Sequence, residues 1–162
     1  MTKQELESKI EELQKQLNEL KNLKIEEPKG KWMPAEDEQY YHIDEDLEIE
    51  SEFFDDDEYD NNLIKLGNCF KTEEEAQFVA DKIKYTLMFK NYVEEHSDPL
   101  DWENHQQEKW SIYYDCDDNC IGCDWCVSWK KQSVIYASSK QILKDAINYV
   151  GEENVKKYIL EV

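Results

Sequence analysis

The stretch "TEEEAQFVADKIKYTLMFKNY", residues 72–92, decides the fold that this sequence predicts. Thr72 followed by Glu75 has the spacing of a capping box, which begins a helix by satisfying backbone N–H groups of its first turn. Apolar residues then recur every three or four positions, as expected of a helix with one buried face. These residues are Ala76, Val79, Ala80, Ile83, Leu87 and Met88. We therefore predict an amphipathic helix from about Glu73 to Tyr92 as the framework of a folded domain.

The sequence predicts a β-hairpin on each side of this helix. Before it, "QYYHI" and "DLEIE" have strand-like composition around Asp44–Asp46. After it, "KWSIYYD" and "VSWKKQSVIYAS" predict two more strands, preceded by the loop "HSDPLDWENHQQ". Ser138 and Gln141 have the spacing of another helix cap, Gly151 ends that helix, and "EENVKKYIL" predicts a short last helix. This order predicts an α+β domain over residues 35–162.

The N-terminal residues predict a separate helix from Thr2 to Lys24. Its apolar residues form a heptad seam, as in a coiled coil. They are Leu6, Ile10, Leu13, Leu17 and Leu20. An isolated helix of this length is marginal in water, so we predict a homodimer; packing on its own domain and docking on another protein are the alternatives. "EEPKGKWMP" breaks the pattern with two prolines and a glycine. The predicted domains are a coiled-coil helix (1–27), a linker (28–34) and the acidic α+β domain (35–162).

Charge is the most unusual feature of the composition. The chain has 39 acidic residues against 19 lysines and no arginine, a net charge of −20. Such a charge argues against direct binding to nucleic acid or an anionic membrane and favours a basic partner protein. No apolar run reaches the ~18 residues of a membrane span, and the N-terminus is polar, unlike a signal peptide. We therefore expect a cytoplasmic protein.

Four of the five cysteines lie within "DCDDNCIGCDWC", residues 115–126. The spacing Cys116-x3-Cys120-x2-Cys123-x2-Cys126 suits four thiolates around one structural Zn²⁺, and a reducing cytosol disfavours disulfides. We predict a zinc knuckle at the turn that joins the strands of the second hairpin. An iron–sulfur site, a redox or disulfide pair and free thiols are the alternatives. Because the spacing is compact, one ligand could instead come from elsewhere in the chain. The candidates are Cys69, His96 and His105.

An acidic tract runs from Asp44 to Asp60, where eleven of seventeen positions are acidic and no lysine occurs. The acidic residues are Asp44, Glu45, Asp46, Glu48, Glu50, Glu52, Asp55, Asp56, Asp57, Glu58 and Asp60. Laid out as strand at about 3.3 Å per residue, they approach the charge density of nucleic acid. We predict a DNA mimic that contacts a basic protein; a solvated loop and a calcium site are the alternatives, although the EF-hand spacing is missing. Aromatic residues in and beside the tract could anchor the partner. They are Tyr40, Tyr41, Phe53, Phe54 and Tyr59.

Catalytic arrangements cannot be recognised in the sequence. The three histidines, His42, His96 and His105, are scattered and stand in no Ser/His/Asp or Cys/His pattern. No pair of carboxylates can be argued as an acid and base. We therefore predict that the protein is not an enzyme.

Several segments together resemble small acidic proteins encoded by phages and prophages of low-GC Gram-positive bacteria. They are "KWMPAEDEQYYHID", "LGNCFKTEEEAQFVADKIK", "KWSIYYD" and "VIYASSKQILKDAINYVGEENVKKYIL", within residues 31–160. Proteins of this general kind include anti-CRISPR inhibitors of Cas9, so the resemblance implies an inhibitor that blocks the DNA-binding channel in the host cytosol. The four-cysteine segment departs from the usual short turn of such proteins, so the resemblance implies nothing about those cysteines. A coiled-coil structural, assembly or adaptor protein of a phage is the alternative, and a small iron–sulfur or redox protein is a third.

Overall fold

The structure is a computed structural model that describes residues 32–162 together with Lys9, Glu12, Gln14 and Lys15. The chain divides into two units, Met1–Trp32 and Met33–Val162. In the first unit, Lys9, Glu12, Gln14 and Lys15 are helical and exposed. The predicted heptad seam lies outside the described residues, so the coiled coil and the homodimer stay predictions. Its residues are Leu6, Ile10, Leu13, Leu17 and Leu20.

The second unit contains two antiparallel hairpins and a set of helices, so the predicted α+β class is confirmed. In chain order the elements are β1 (Gln39–Ile43), β2 (Ile49–Phe53), α1 (Glu58–Leu66), α2 (Glu73–His96), β3 (Lys109–Asp115), β4 (Cys120–Cys126), α3 (Lys140–Val150) and α4 (Glu152–Asn154), which continues into a π-helix (Val155–Leu160). Each of these two sheets has two strands: β1 pairs with β2, and β3 pairs with β4.

Helix α2 connects two separate apolar cores. Near its start, Ala76 and Ala80 pack with Ile43 beneath the first hairpin. Near its end, Phe89 and Val93 pack with α3 and with the inner face of the second hairpin. Ala76 and Phe89 are thirteen residues apart, which places them about 220° apart around the helix axis. The two ends of α2 therefore bury nearly opposite faces.

This arrangement corrects the predicted buried stripe of α2. Ile83 and Leu87 were predicted to be buried but are 39 % and 47 % exposed, whereas Phe89 and Val93 are buried. A straight stripe assumes that one core packs along the whole helix, whereas here two cores contact α2 from different sides.

Although α2 has 24 residues, no helix in the described part of the chain is long and apolar enough to cross a membrane.

The helix caps follow the predicted local signals closely. Thr72 Oγ1 accepts a hydrogen bond from the Glu75 N–H (3.3 Å), so α2 begins where the capping box places it. Helix α3 is capped by Ser139, one residue later than predicted. Ser138 instead accepts a hydrogen bond from the Asp98 N–H (3.0 Å) and ties the loop after α2 to the start of α3.

The second strand of the second hairpin was predicted in the wrong place. The strand is β4, Cys120–Cys126, and residues 127–138 form a loop that touches β3 at an isolated bridge between Trp110 and Ala137. A tight turn causes the early return: the Asp115 carboxylate accepts hydrogen bonds from the N–H groups of Asp117 and Asp118. The residue before β4, Asn119, takes the left-handed conformation (φ 53°) that asparagine tolerates.

Candidate functional site

The acidic tract Asp44–Asp60 is not one extended strand. It comprises the turn of the first hairpin, strand β2, a loop over residues 54–57 and the first residues of α1. Its pairing partner β1, "QYYHI", contains no acidic residue. The extended layout behind the predicted phosphate spacing is therefore wrong for most of the tract, and the carboxylates have to be considered one group at a time.

Asp60 is a structural carboxylate and not a surface group. It is 4 % exposed, its Oδ1 accepts a hydrogen bond from the Tyr40 hydroxyl (2.6 Å) and its Oδ2 accepts one from the Asp55 N–H (2.9 Å). Burial alone would raise the pKa of Asp60, but these hydrogen bonds outweigh it and hold the pKa below its usual value. Burial and the bond to Asp60 raise the pKa of Tyr40. We predicted Asp60 to contact a partner, but its hydrogen bond with Tyr40 links α1 to β1 within the domain.

Two further carboxylates shape turns while staying partly or fully exposed. Asp57 is the N-cap of α1, and its Oδ1 accepts a hydrogen bond from the Asp60 N–H (2.8 Å). Asp44 Oδ1 accepts hydrogen bonds from the N–H groups of Asp46 (2.9 Å) and Glu48 (2.8 Å) and so closes the first hairpin. Asp44 and Asp57 therefore stabilise local turns of the backbone. Aspartate commonly does so by accepting hydrogen bonds from N–H groups a few residues further along the chain.

In the described part of the chain, one acidic group has oxygens close enough to share a cation. Asp55, Asp57 and Asp60 each offer an oxygen within 4.8 Å of the others. Each of these side chains already accepts a backbone hydrogen bond from the same loop: Asp57 N–H to Asp55, Asp60 N–H to Asp57, and Asp55 N–H to Asp60. These hydrogen bonds of the loop before α1 explain why the three carboxylates lie close together, and we assign no metal to them.

The exposed carboxylates converge around Tyr59, a residue of α1 that is 52 % exposed. Partial burial and then the charges of Glu50, Glu52, Asp60 and Asp57 raise the pKa of Tyr59. Geometry brings these groups together, because His42, the cross-strand neighbour of Glu50 on β2, makes an edge-on ring contact with Tyr59 at the start of α1. We call the surface formed by Glu50, Glu52, Asp57, Glu58 and Tyr59 the acidic face.

No described lysine forms an ion pair with a carboxylate of the acidic face. Residues 1–32 contain seven acidic residues and seven lysines, so the whole net charge of −20 falls on residues 33–162. Residues 33–64 contain fourteen acidic residues and no lysine. Among the described residues, His42 lies within ion-pair distance of the face, with 3.9 Å between its Nε2 and Glu50 Oε2. In the described part of the chain, the carboxylates of the face therefore have no lysine partner.

His42 is a buried residue whose position the sequence did not indicate. It is 2 % exposed, it makes an edge-on ring contact with Tyr59 (5.9 Å between centroids), and its Nε2 has no hydrogen-bond partner within the described part of the chain. Its cross-strand neighbour is Glu50. His42 therefore forms the floor of the acidic face beneath Tyr59.

Of the five predicted aromatic anchors, two are available to a partner. Phe53 is 65 % exposed and Tyr59 is 52 % exposed. Tyr40 and Phe54 are buried, and Tyr41 packs against the core between the first hairpin and α2. Tyr40 and Tyr41 are adjacent on β1 and point to opposite faces of the strand. Neither is available to a partner, because α1 covers one face and α2 covers the other.

The predicted zinc ligands do not converge in this structure. Cys116 lies in the turn before β4, whereas Cys120, Cys123 and Cys126 lie within β4. Cys123 packs against the core, and Cys120 and Cys126 lie on the other face of the strand, six residues or about 20 Å apart. Four sulfurs around Zn²⁺ at ~2.3 Å must lie within about 4 Å of one another. The predicted knuckle at the turn is therefore not confirmed, because this strand pairing keeps the four sulfurs too far apart to share one Zn²⁺.

The other proposed ligands are also apart from the strand. Cys69 is buried just before α2, and His96 and His105 are exposed on the helix end and on the following loop. In the described part of the chain, no cysteine belongs to a group close enough to share an ion. Binding of zinc therefore remains a prediction that requires residues 115–126 to take another path.

Thiol reactivity checks this placement. We expect a small thiol reagent at neutral pH to modify the exposed Cys116 and Cys120 quickly and the buried Cys126 only on unfolding. Cys123 should react slowly, because burial raises the pKa of its thiol, against the smaller opposing effect of Lys140 and Lys144, and so lowers its thiolate fraction. The measurement is the rate of labelling at each cysteine by mass spectrometry. Protection of all four cysteines that a chelator removes would contradict the strand pairing and support the zinc site.

Compared with protein-family models, curated protein sequences and solved structures, the chain shows no match. The resemblance to phage proteins therefore stays an expectation, and the function has to be argued from the residues and their geometry.

Proposed function

We propose that this protein is a non-enzymatic, phage-encoded inhibitor whose acidic face binds the basic nucleic-acid channel of a CRISPR effector such as Cas9 and blocks loading of target DNA. The observation that carries the proposal is the group of carboxylates on β2 and at the start of α1 that lie beside the exposed ring of Tyr59 and form no ion pair with a described lysine. Such a channel holds its nucleic acid through lysine and arginine contacts to the backbone phosphates.

The geometry of β2 supports contact with a row of cations. Glu50 and Glu52 lie two residues apart on one side of an edge strand, about 6.8 Å along its axis. Glu58 and Asp57 add charge from the start of α1. This density is lower than that of a DNA strand, so the face substitutes for a few phosphates and does not copy a duplex.

The exposed ring of Tyr59 would contribute the apolar part of the contact. Phe53 points to the opposite side of β2 from Glu50 and Glu52 and lies outside the acidic face. Aromatic residues are enriched in the central part of protein interfaces, whereas surrounding charges mainly raise the association rate and select the partner. We therefore expect charge to govern how fast the complex forms and the Tyr59 ring to govern how long it lasts.

A cleavage assay tests the proposal. Glu50→Gln, Glu52→Gln and Glu58→Gln together remove three exposed charges of the acidic face and spare the buried Asp60 and the helix cap Asp57. Added to Cas9 before target DNA, wild-type protein should inhibit cleavage, and this variant should associate at least about tenfold more slowly. Inhibition by the wild type should weaken between low and physiological salt, because exposed charges are screened beyond about 8–10 Å.

A matched control separates the face from net charge. Glu95→Gln, Glu103→Gln and Asp117→Asn remove the same number of exposed charges elsewhere on the domain, and this control should inhibit like the wild type. Equal inhibition by both variants would assign the contact to another surface. Absence of inhibition by the wild type would remove Cas9 as the partner.

A further inference from the structure

A cavity of about 370 Å³ lies beside α2, away from the acidic face. Its walls come from α2, β3, the loop after β4 and the C-terminal π-helix, and they are mainly apolar, with Phe89, Ile112, Ile135 and Leu160 among them. Small-molecule sites in proteins have about this volume and are mostly apolar, with a few polar groups that orient the ligand.

The polar groups of the cavity lie at its rim. Lys82 Nζ is 2.6 Å from Glu161 Oε1, and the two side chains are 40 % and 58 % exposed. Thr86 and Ser133 add hydroxyl groups to the lining. The ammonium of Lys82 is thus already paired with a carboxylate that belongs to the chain itself.

Irregular backbone surrounds this rim. Glu161 and Ser133 both take the left-handed conformation, with φ of 57° and 60°, which costs free energy in residues other than glycine. The π-helix, a form that occurs frequently at functional sites, supplies Tyr158, Ile159 and Leu160 to the wall. Tyr158 is held in place, because its hydroxyl donates to Asp81 Oδ2 (2.8 Å) and its ring stacks on Tyr85.

We propose that this cavity binds a small amphiphilic carboxylate, with its apolar body among Ile112, Ile135 and Leu160 and its carboxylate on Lys82 in place of Glu161. In a chain of net charge −20, an anion is repelled at long range. The affinity therefore comes from burial of the apolar body, and Lys82 selects the head group. The site is separate from the acidic face, so this proposal does not depend on the inhibitor function.

Calorimetric titration of the full chain with decanoate and with its methyl ester tests the proposal. The two probes share an apolar body and differ in charge. Decanoate should bind about two- to fivefold more tightly than the ester, as expected for an ion pair at a partly exposed lysine. Lys82→Met, which keeps the apolar stem, should remove that preference, and Lys84→Met on the same helix should leave it unchanged.

The variant Glu161→Gln should change the affinity for decanoate in the opposite direction to Lys82→Met. Because it removes the competing carboxylate, it should bind decanoate several-fold more tightly than the wild type and bind the ester unchanged. Ile135→Trp should fill the cavity and abolish binding of both probes. Equal affinity for the two probes, unchanged affinity in Lys82→Met, or no binding by the wild type would each overturn the proposal.

Discussion

Asp60→Ala is expected to destabilise the second unit by about 2–4 kcal/mol. The carboxylate accepts hydrogen bonds from the Tyr40 hydroxyl and the Asp55 N–H, and its loss leaves these donors without their partner near a fully buried ring. A hydrogen bond to a charged group contributes about 1.5–3 kcal/mol, and an unsatisfied buried donor costs a similar amount. Urea unfolding monitored by tryptophan fluorescence measures the change.

Two further variants provide comparisons for the free energy of unfolding of Asp60→Ala. Tyr40→Phe deletes one donor and keeps the ring, so we expect a smaller loss of about 1–2 kcal/mol. Glu45→Ala removes an exposed carboxylate of the same tract and should change the free energy of unfolding by less than about 0.5 kcal/mol. Equal effects of Asp60→Ala and Glu45→Ala would show that Asp60 is not a structural carboxylate.

The loss in Asp60→Ala should also depend on pH. The pKa of Asp60 is lower in the folded chain than its usual value, so its charge stabilises the fold above the unfolded pKa of about 3.9. That contribution is lost as the pH falls through the folded pKa. The difference between wild type and Asp60→Ala should therefore be full at pH 7 and shrink below about pH 4. A difference that grows on acidification would contradict the assigned hydrogen bonds.

Phe89→Ala is expected to destabilise the second unit by about 3–5 kcal/mol, because a fully buried aromatic ring is replaced by a cavity. This loss is a large part of the ~5–15 kcal/mol that holds a typical domain folded. Phe89 packs in the core formed with Val93 and Leu143 and also lines the cavity beside α2. Urea unfolding again provides the measurement.

Leu87→Ala is the matched comparison on the same helix. Leu87 is 47 % exposed, so its removal should cost less than about 1 kcal/mol. The apolar pattern of the sequence placed Leu87 in the buried stripe and left Phe89 out of it. A larger loss for Leu87→Ala than for Phe89→Ala would therefore restore the stripe that the sequence predicts and contradict the observed orientation of α2.

Two elements that we did not predict correctly from the sequence, α1 and β4, do have recognisable local sequence patterns. Asp57 and Gly67 have the residue types of an N-cap and a left-handed C-cap, and they bound α1, but the acidic run was interpreted as strand or loop. In β4, Ile121, Cys123 and Trp125 alternate as one side of a strand. Treating cysteine as a small apolar residue, rather than as a metal ligand, would have predicted this strand.

The sequence by itself determined the features that depend on near neighbours. The start of α2 at Thr72 and the end of α3 at Gly151 depend on hydrogen bonds within about four residues. The segregation of charge also needs no structure, since residues 33–64 contain no lysine. Only the tertiary structure decided that Asp60 is buried and that α2 buries opposite faces at its two ends. Each of these depends on contacts between distant positions, such as the twenty residues between Tyr40 and Asp60, and a local pattern carries no information about which distant residues will meet.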